Sequence, residues 1–100
     1  MTIAEIEQTM RARAPQFRPL NARVRFVFDR EGSLLLDATR TPVSLSHEDG
    51  EVACTIRISL ENMGKLLTGK LDPMLAFTLG KLKVDGSKGI AMKLGGLLDG

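Results

Sequence analysis

The sequence contains no tryptophan and no tyrosine, and only four phenylalanines, one cysteine and one histidine among its 100 residues. Each shortage closes a route to function. Without Trp or Tyr, and with its cations dispersed, the chain offers neither a base-stacking platform nor a basic block, so no nucleic-acid partner is expected. A single cysteine forms no internal disulfide, which suits a reducing compartment and points to the cytoplasm. His47, Glu48 and Asp49 lack a second His or Cys, and consecutive residues seldom all point at one ion, so no metal site is expected. The Gly-x4-Gly-Lys-Ser/Thr phosphate loop is missing, and no cofactor is implied. No run of about 18 apolar residues exists to span a bilayer. The opening MTIAEIEQTMRARA is amphipathic and of mixed charge, without an apolar signal core, so export is not expected. The final LLDG matches neither a peroxisomal nor an ER-retention address.

What is present suits one compact domain over residues 1–100. The hydrophobic fraction of 43% fills one core, and the 26% charged fraction with four prolines argues against disorder. The net charge of +2 is divided along the chain: the eight arginines lie at or before Arg57, and the six lysines at or after Lys65. No linker and no tandem repeat divides it.

Thr2 and Glu5 fit a capping box for a helix carrying Ile3, Ile6 and Met10, which should stop before Pro15. ARVRFVFD alternates, with Val24, Phe26 and Phe28 on one face. REGS reads as a turn into a returning strand, LLLDAT. PVSLSH alternates through Val43, Leu45 and His47, and EDGE reads as an Asp-Gly hairpin turn. VACTIRIS aligns Val52, Cys54, Ile56 and Ile58. Ser59 caps a helix with Leu60, Met63, Leu66 and Leu67, closed by Gly69. Asp72-Pro73 starts a short helix that ends at Gly80. KLKVDG is a fifth strand, and SKGIAMKLGGLL a last helix. The expectation is an α/β (α+β-like) fold: a five-stranded, mostly antiparallel sheet covered by helices.

Catalysis finds no strong candidate. His47 lies at a polar strand end, with Ser46 pointing to the opposite face. Cys54 shares an apolar face and reads as a small buried hydrophobe without an adjacent activating histidine. A small hydrolase or thioesterase using His47 is the weakest reading. What stands out is an apolar surplus in the C-terminal helices, including Met74, Leu75, Phe77, Leu79, Met92, Leu97 and Leu98. It reads as core plus ordinary exposed apolar surface, or as the cover of an apolar ligand, for which flexible Met side chains are suited.

The segment ISLENMGKLLTGKLDPMLAFTLGKLKVDGSKGIAMKLGGLL resembles the C-terminal half of the sterol carrier protein type-two domain. Thr68, Gly69, Lys70, Leu71, Pro73, Ala76 and Phe77 match the first motif of that family. Gly80, Lys81, Leu82 and Lys83 match the second, and Gly86, Ala91, Met92, Lys93 and Leu94 the third. VACTI, residues 52–56, matches upstream. The likeness is specific from Ala53 to Leu94 and weak before Arg40.

The resemblance implies an apolar tunnel between sheet and helices that holds a fatty acid, acyl-CoA, phospholipid, isoprenoid or sterol-like lipid, without catalysis. Leu34–Leu36 stand where some relatives carry Trp, which favours a straight acyl or isoprenoid chain over a rigid sterol. The lining expected is Phe26, Phe28, Ile56, Met74, Phe77, Leu82, Ile90, Leu94 and Leu98. Lys70, Lys81, Lys88 and Lys93 flank the cover elements and would face anionic headgroups of a membrane. Transient contact with such a surface, or with a lipid-metabolising enzyme, completes the expected partners. The alternative is an accessory module that docks its apolar helices on a lipid-metabolising or quinone-pathway enzyme.

Overall fold

The computed structural model describes residues 1–98. Helix α1 (Ile3–Ala12) starts at the capping box: Thr2 Oγ1 accepts from the Glu5 N–H at 3.2 Å, and Glu5 Oε1 accepts from the Thr2 N–H at 2.9 Å. Such a reciprocal cap is worth about 1 kcal/mol. Ile6 and Met10 are fully buried on its inner face.

A short 3-10 helix, Ala14–Leu20, follows where sequence reasoning placed only a helix stop. Pro15 and Pro19 each lack an amide donor, so an α-helix cannot run through them; the chain tightens instead and drives Phe17 and Leu20 into the core. Arg13 Nη2 donates to Leu67 O at 2.7 Å and Gln16 Nε2 to Leu97 O at 2.9 Å, tying this segment to the ends of two later helices.

The strands are β1 (Arg23–Val27), β2 (Ser33–Asp37), β3 (Ser44–Ser46), β4 (Cys54–Ile58) and β5 (Leu82–Gly86). They form one sheet in the order β3-β2-β1-β4-β5. Every neighbouring pair is antiparallel except β1 and β4, which run parallel from Val24↔Cys54 to Val27↔Arg57. That pairing corrects one expectation. EDGE does not close a hairpin, because β3 and β4 are not neighbours; residues 47–53 cross the outer face of the sheet. Arg25, on that face, donates to the carbonyls of Glu48 and Gly50 at 3.3 Å. Beneath this strap Leu35, the outward residue of β2, is only 1% exposed.

Helices α2 (Leu60–Leu67), α3 (Pro73–Thr78) and α4 (Lys88–Leu98) lie on the inner face. Ser59, Asp72 and Ser87 cap them, their side-chain oxygens accepting from the N–H of Asn62, Leu75 and Ile90 at 3.1, 3.0 and 3.1 Å. Val24, Phe26, Leu34, Leu36, Cys54, Ile56 and Ile58 face these helices and form the sheet side of the core.

Candidate functional site

Beneath α3 and α4 the inner face of the sheet is not fully packed. One register row, Phe26↔Ile56↔Val84, crosses β1, β4 and β5 and forms the floor of a cavity, with Leu82 beside it. Leu66 of α2 closes one wall. The roof is Pro73, Met74 and Phe77 of α3 and Ala91, Met92, Leu94, Gly95 and Leu98 of α4. The cavity is small, about 120 Å³, below the usual range of small-molecule sites, and it opens to solvent at its mouth. Among the described residues of the lining, Lys88 alone is charged.

Local sequence explains this shape. α3 has only six residues, and Pro73 and Ala76 are its buried positions, so Met74 and Phe77 cannot both turn inward. They remain 52% and 44% exposed, and Met92 on α4 is 61% exposed. Three large apolar side chains therefore stand half in water around one cavity. At Gly95 the two helices approach closely: a Cβ there would lie 3.3 Å from Pro73 Cβ.

Seven residues expected to line the site converge on this cavity: Phe26, Ile56, Met74, Phe77, Leu82, Leu94 and Leu98. Phe28 does not. It is fully buried and stacks on Phe26, ring centroids 6.3 Å apart and planes within 7°, as plain core. Ile90 packs against the core without bordering the cavity. Leu34 and Leu36 are core and also lie apart from it. Pro73, Val84, Ala91 and Gly95 line the cavity without having been anticipated, and Leu66 and Met92, part of the apolar surplus but not of the expected lining, join them. Val84 was legible from its shared strand face with Leu82; Pro73 and Gly95 carry no signal in residue type.

The four lysines scatter. Lys88 borders the cavity, while Lys70 lines a separate open cleft bordered by α1, the β1–β2 turn and α2. Lys81 joins α3 to β5, and Lys93 is exposed on α4.

The candidates for chemistry lie elsewhere. His47 Nδ1 is 3.0 Å from Ser33 O and Nε2 is 2.7 Å from Glu7 Oε1, while Glu7 also holds Arg11 at 2.6 Å. The imidazole thus braces α1 against the β2–β3 edge, and no serine hydroxyl is among its partners. Cys54 is buried, and burial pushes its thiol pKa up, away from the reactive thiolate. Among the described residues, no group of three His, Cys, Asp or Glu is placed to hold a metal ion, and no helix is long and apolar enough to cross a membrane.

The fold that frames this cavity has counterparts among known proteins. The profile of the SCP-2 sterol transfer family matches residues 3–99. The chain belongs to that family. Its likeness to curated SCP-2 members is confined to part of each protein. Sterol carrier protein 2 of Oryctolagus cuniculus is 46% identical over 50 residues, half of this chain but 9% of that protein. Peroxisomal multifunctional enzyme A of Dictyostelium discoideum is 50% identical over 46 residues, 46% of this chain and 10% of the enzyme. The solution structure of palmitated SCP2L2 from Aedes aegypti superposes over all of this chain and 96% of its own, with a TM-score of 0.77 at 18% identity. That likeness shows the SCP-2 fold. The family itself is identified by the SCP-2 profile.

Proposed function

We propose that this chain is a non-catalytic lipid-binding domain which holds one acyl-type chain in the cavity beneath α3 and α4 and carries or presents it. The observation that carries the reading is the cavity itself: an apolar floor row, and a roof whose Met74, Phe77 and Met92 are left half-exposed. Such surface is unfavourable in water and is covered when an apolar chain enters.

Magnitudes suffice without any catalytic group. Each buried CH₂ stabilises by about 0.8 kcal/mol, so a sixteen-carbon chain has about 12 kcal/mol gross. A sixteen-carbon chain enters a cavity of about 120 Å³ only if α3 and α4 part. That opening and the ordering of chain and protein offset part of the gain, and a micromolar complex needs only about 8 kcal/mol. A flexible chain matches a wall containing two methionines better than a rigid ring system does. The lining supports Phe26, Ile56, Met74, Phe77, Leu82, Leu94 and Leu98 as ligand contacts, and the cytoplasm as the place of work accords with the single buried thiol.

Native mass spectrometry of gently purified protein tests the reading. Added mass that organic extraction removes, identified as a fatty acid, phospholipid or isoprenoid, supports it. Protein that is clean and takes up neither acyl chains nor sterols sinks it, and the exposed roof then becomes a surface for docking on a lipid-metabolising enzyme. Likeness to part of a multifunctional enzyme keeps that second reading in view.

A further inference from the structure

We infer that Lys88 is the head-group residue of the cavity and makes it selective for amphiphiles ending in an anionic oxygen group, a carboxylate or a phosphate ester, over neutral ones of equal length. The inference rests on the cavity being the lipid site and deepens that reading.

The wall is apolar throughout, so it has no means of distinguishing one end of a lipid chain from the other. Among its described residues Lys88 alone is charged. It sits at the first turn of α4 and is exposed although it borders the cavity. This is how a lysine lies when its methylene stem covers apolar surface and its ammonium stays in water. The stem thereby extends the wall, and the charge marks the mouth.

Among the described residues, none forms an ion pair with that charge. Among the described residues the only lysine in an ion pair is Lys65, with Glu61. Asp85, three positions before Lys88, is on the opposite face of β5 from Leu82 and Val84, and Arg57 holds it at 3.1 Å. The lining contains no acid to repel an anion. An anionic group at the mouth therefore gains an unshared cation, whereas a hydroxyl at the same place gains little and a second cation is repelled.

The test compares three probes of one chain length, palmitate, hexadecyl phosphate and hexadecanol, by displacement of a fluorescent acyl ligand at low salt. The native protein should bind both anions more tightly than the alcohol. Lys88→Met, which keeps the stem, should weaken palmitate and hexadecyl phosphate by about twofold to fivefold, the span of an exposed ion pair, and leave hexadecanol unchanged. Lys88→Arg should restore anion binding. A loss confined to one anion keeps the subsite and names its head group. An equal loss for all three probes, or no loss for any, overturns the inference while leaving the cavity reading standing. If no probe binds the native protein, the cavity reading fails first and takes this one with it.

Discussion

Gly95 of α4 packs directly on Pro73 of α3, leaving 3.3 Å between Pro73 Cβ and the point where a side chain at 95 would begin. This contact sets how low the roof sits over the floor row. Gly95→Leu should therefore lift α3 from α4 or fill the cavity, and either outcome removes acyl-chain binding. Uptake of a fluorescent fatty acid should fall by at least about fivefold, about 1 kcal/mol, while circular dichroism shows the fold retained.

Two phenylalanines separate wall from core. Phe28 is fully buried behind Phe26, so Phe28→Ala should cost about 3–5 kcal/mol of stability in urea unfolding. Phe77 is 44% exposed at the cavity, so Phe77→Ala should cost only about 1 kcal/mol of stability. Its effect should fall on ligand affinity. A large stability loss at Phe77 with unchanged binding would place it in the core.

Gly86 ends β5 at φ +97°, and a Cβ there would stand 2.6 Å from Ala53 O and 3.0 Å from Cys54 Cα. Both obstacles are backbone, so they cannot yield cheaply. Gly86→Ala should destabilise by about 2 kcal/mol or more. Gly96, within α4 and with nothing inside 4 Å of its Cβ position, supplies the contrast: Gly96→Ala should stabilise by about 1 kcal/mol. Thermal midpoints of the two variants check both signs.

Asp37 contributes to the acid sensitivity of the fold. Burial raises its pKa, but the Thr39 hydroxyl and N–H, with Arg23 and Arg40 at 3.5 and 3.3 Å, outweigh burial and hold it below its ordinary value. A carboxyl depressed in the folded state contributes stability that is fully present above its unfolded pKa of about 3.9 and is lost as pH falls through the folded value. Urea midpoints should drop below about pH 4, and Asp37→Asn should flatten that part of the profile. An unchanged slope in the variant would assign the acid transition to other carboxyls.

Much of this was legible in the sequence, because the local signals were strong and agreed with one another. The Thr2–Glu5 box, the Asp72-Pro73 start and the alternation through Val24, Phe26 and Phe28 each fix an element with little help from distant contacts. The motifs from Ala53 to Leu94 identified the family, which the profile over residues 3–99 bears out. Two things escaped. The 3-10 helix at Ala14–Leu20 rests on burial of Phe17 and Leu20, a tertiary matter that two prolines conceal. The parallel pairing of β1 with β4 joins strands far apart in sequence, and an Asp-Gly pair between β3 and β4 suggests the opposite. Phe28 and Ile90 had been expected in the lining on the basis of strand and helix faces. A face says which side is inward, not which inward residues meet a void.

That parallel ladder has a mechanical meaning. Everything before it, α1 through β3, makes one half of the sheet, and everything after it, with the entire cavity roof, makes the other. The ladder is a seam, backed by the stitches from Arg13 to Leu67 and from Gln16 to Leu97. Phe26 is the one floor residue on the near side of the seam; the rest of the lining lies beyond it. A lipid touching Phe26 and Leu94 together would act as a rivet through both halves, and loading at a hundred times its Kd would hold them by about 2.7 kcal/mol more. Amide exchange along β1 and β4 would then slow on loading, so cargo and sheet integrity would be read by one observable.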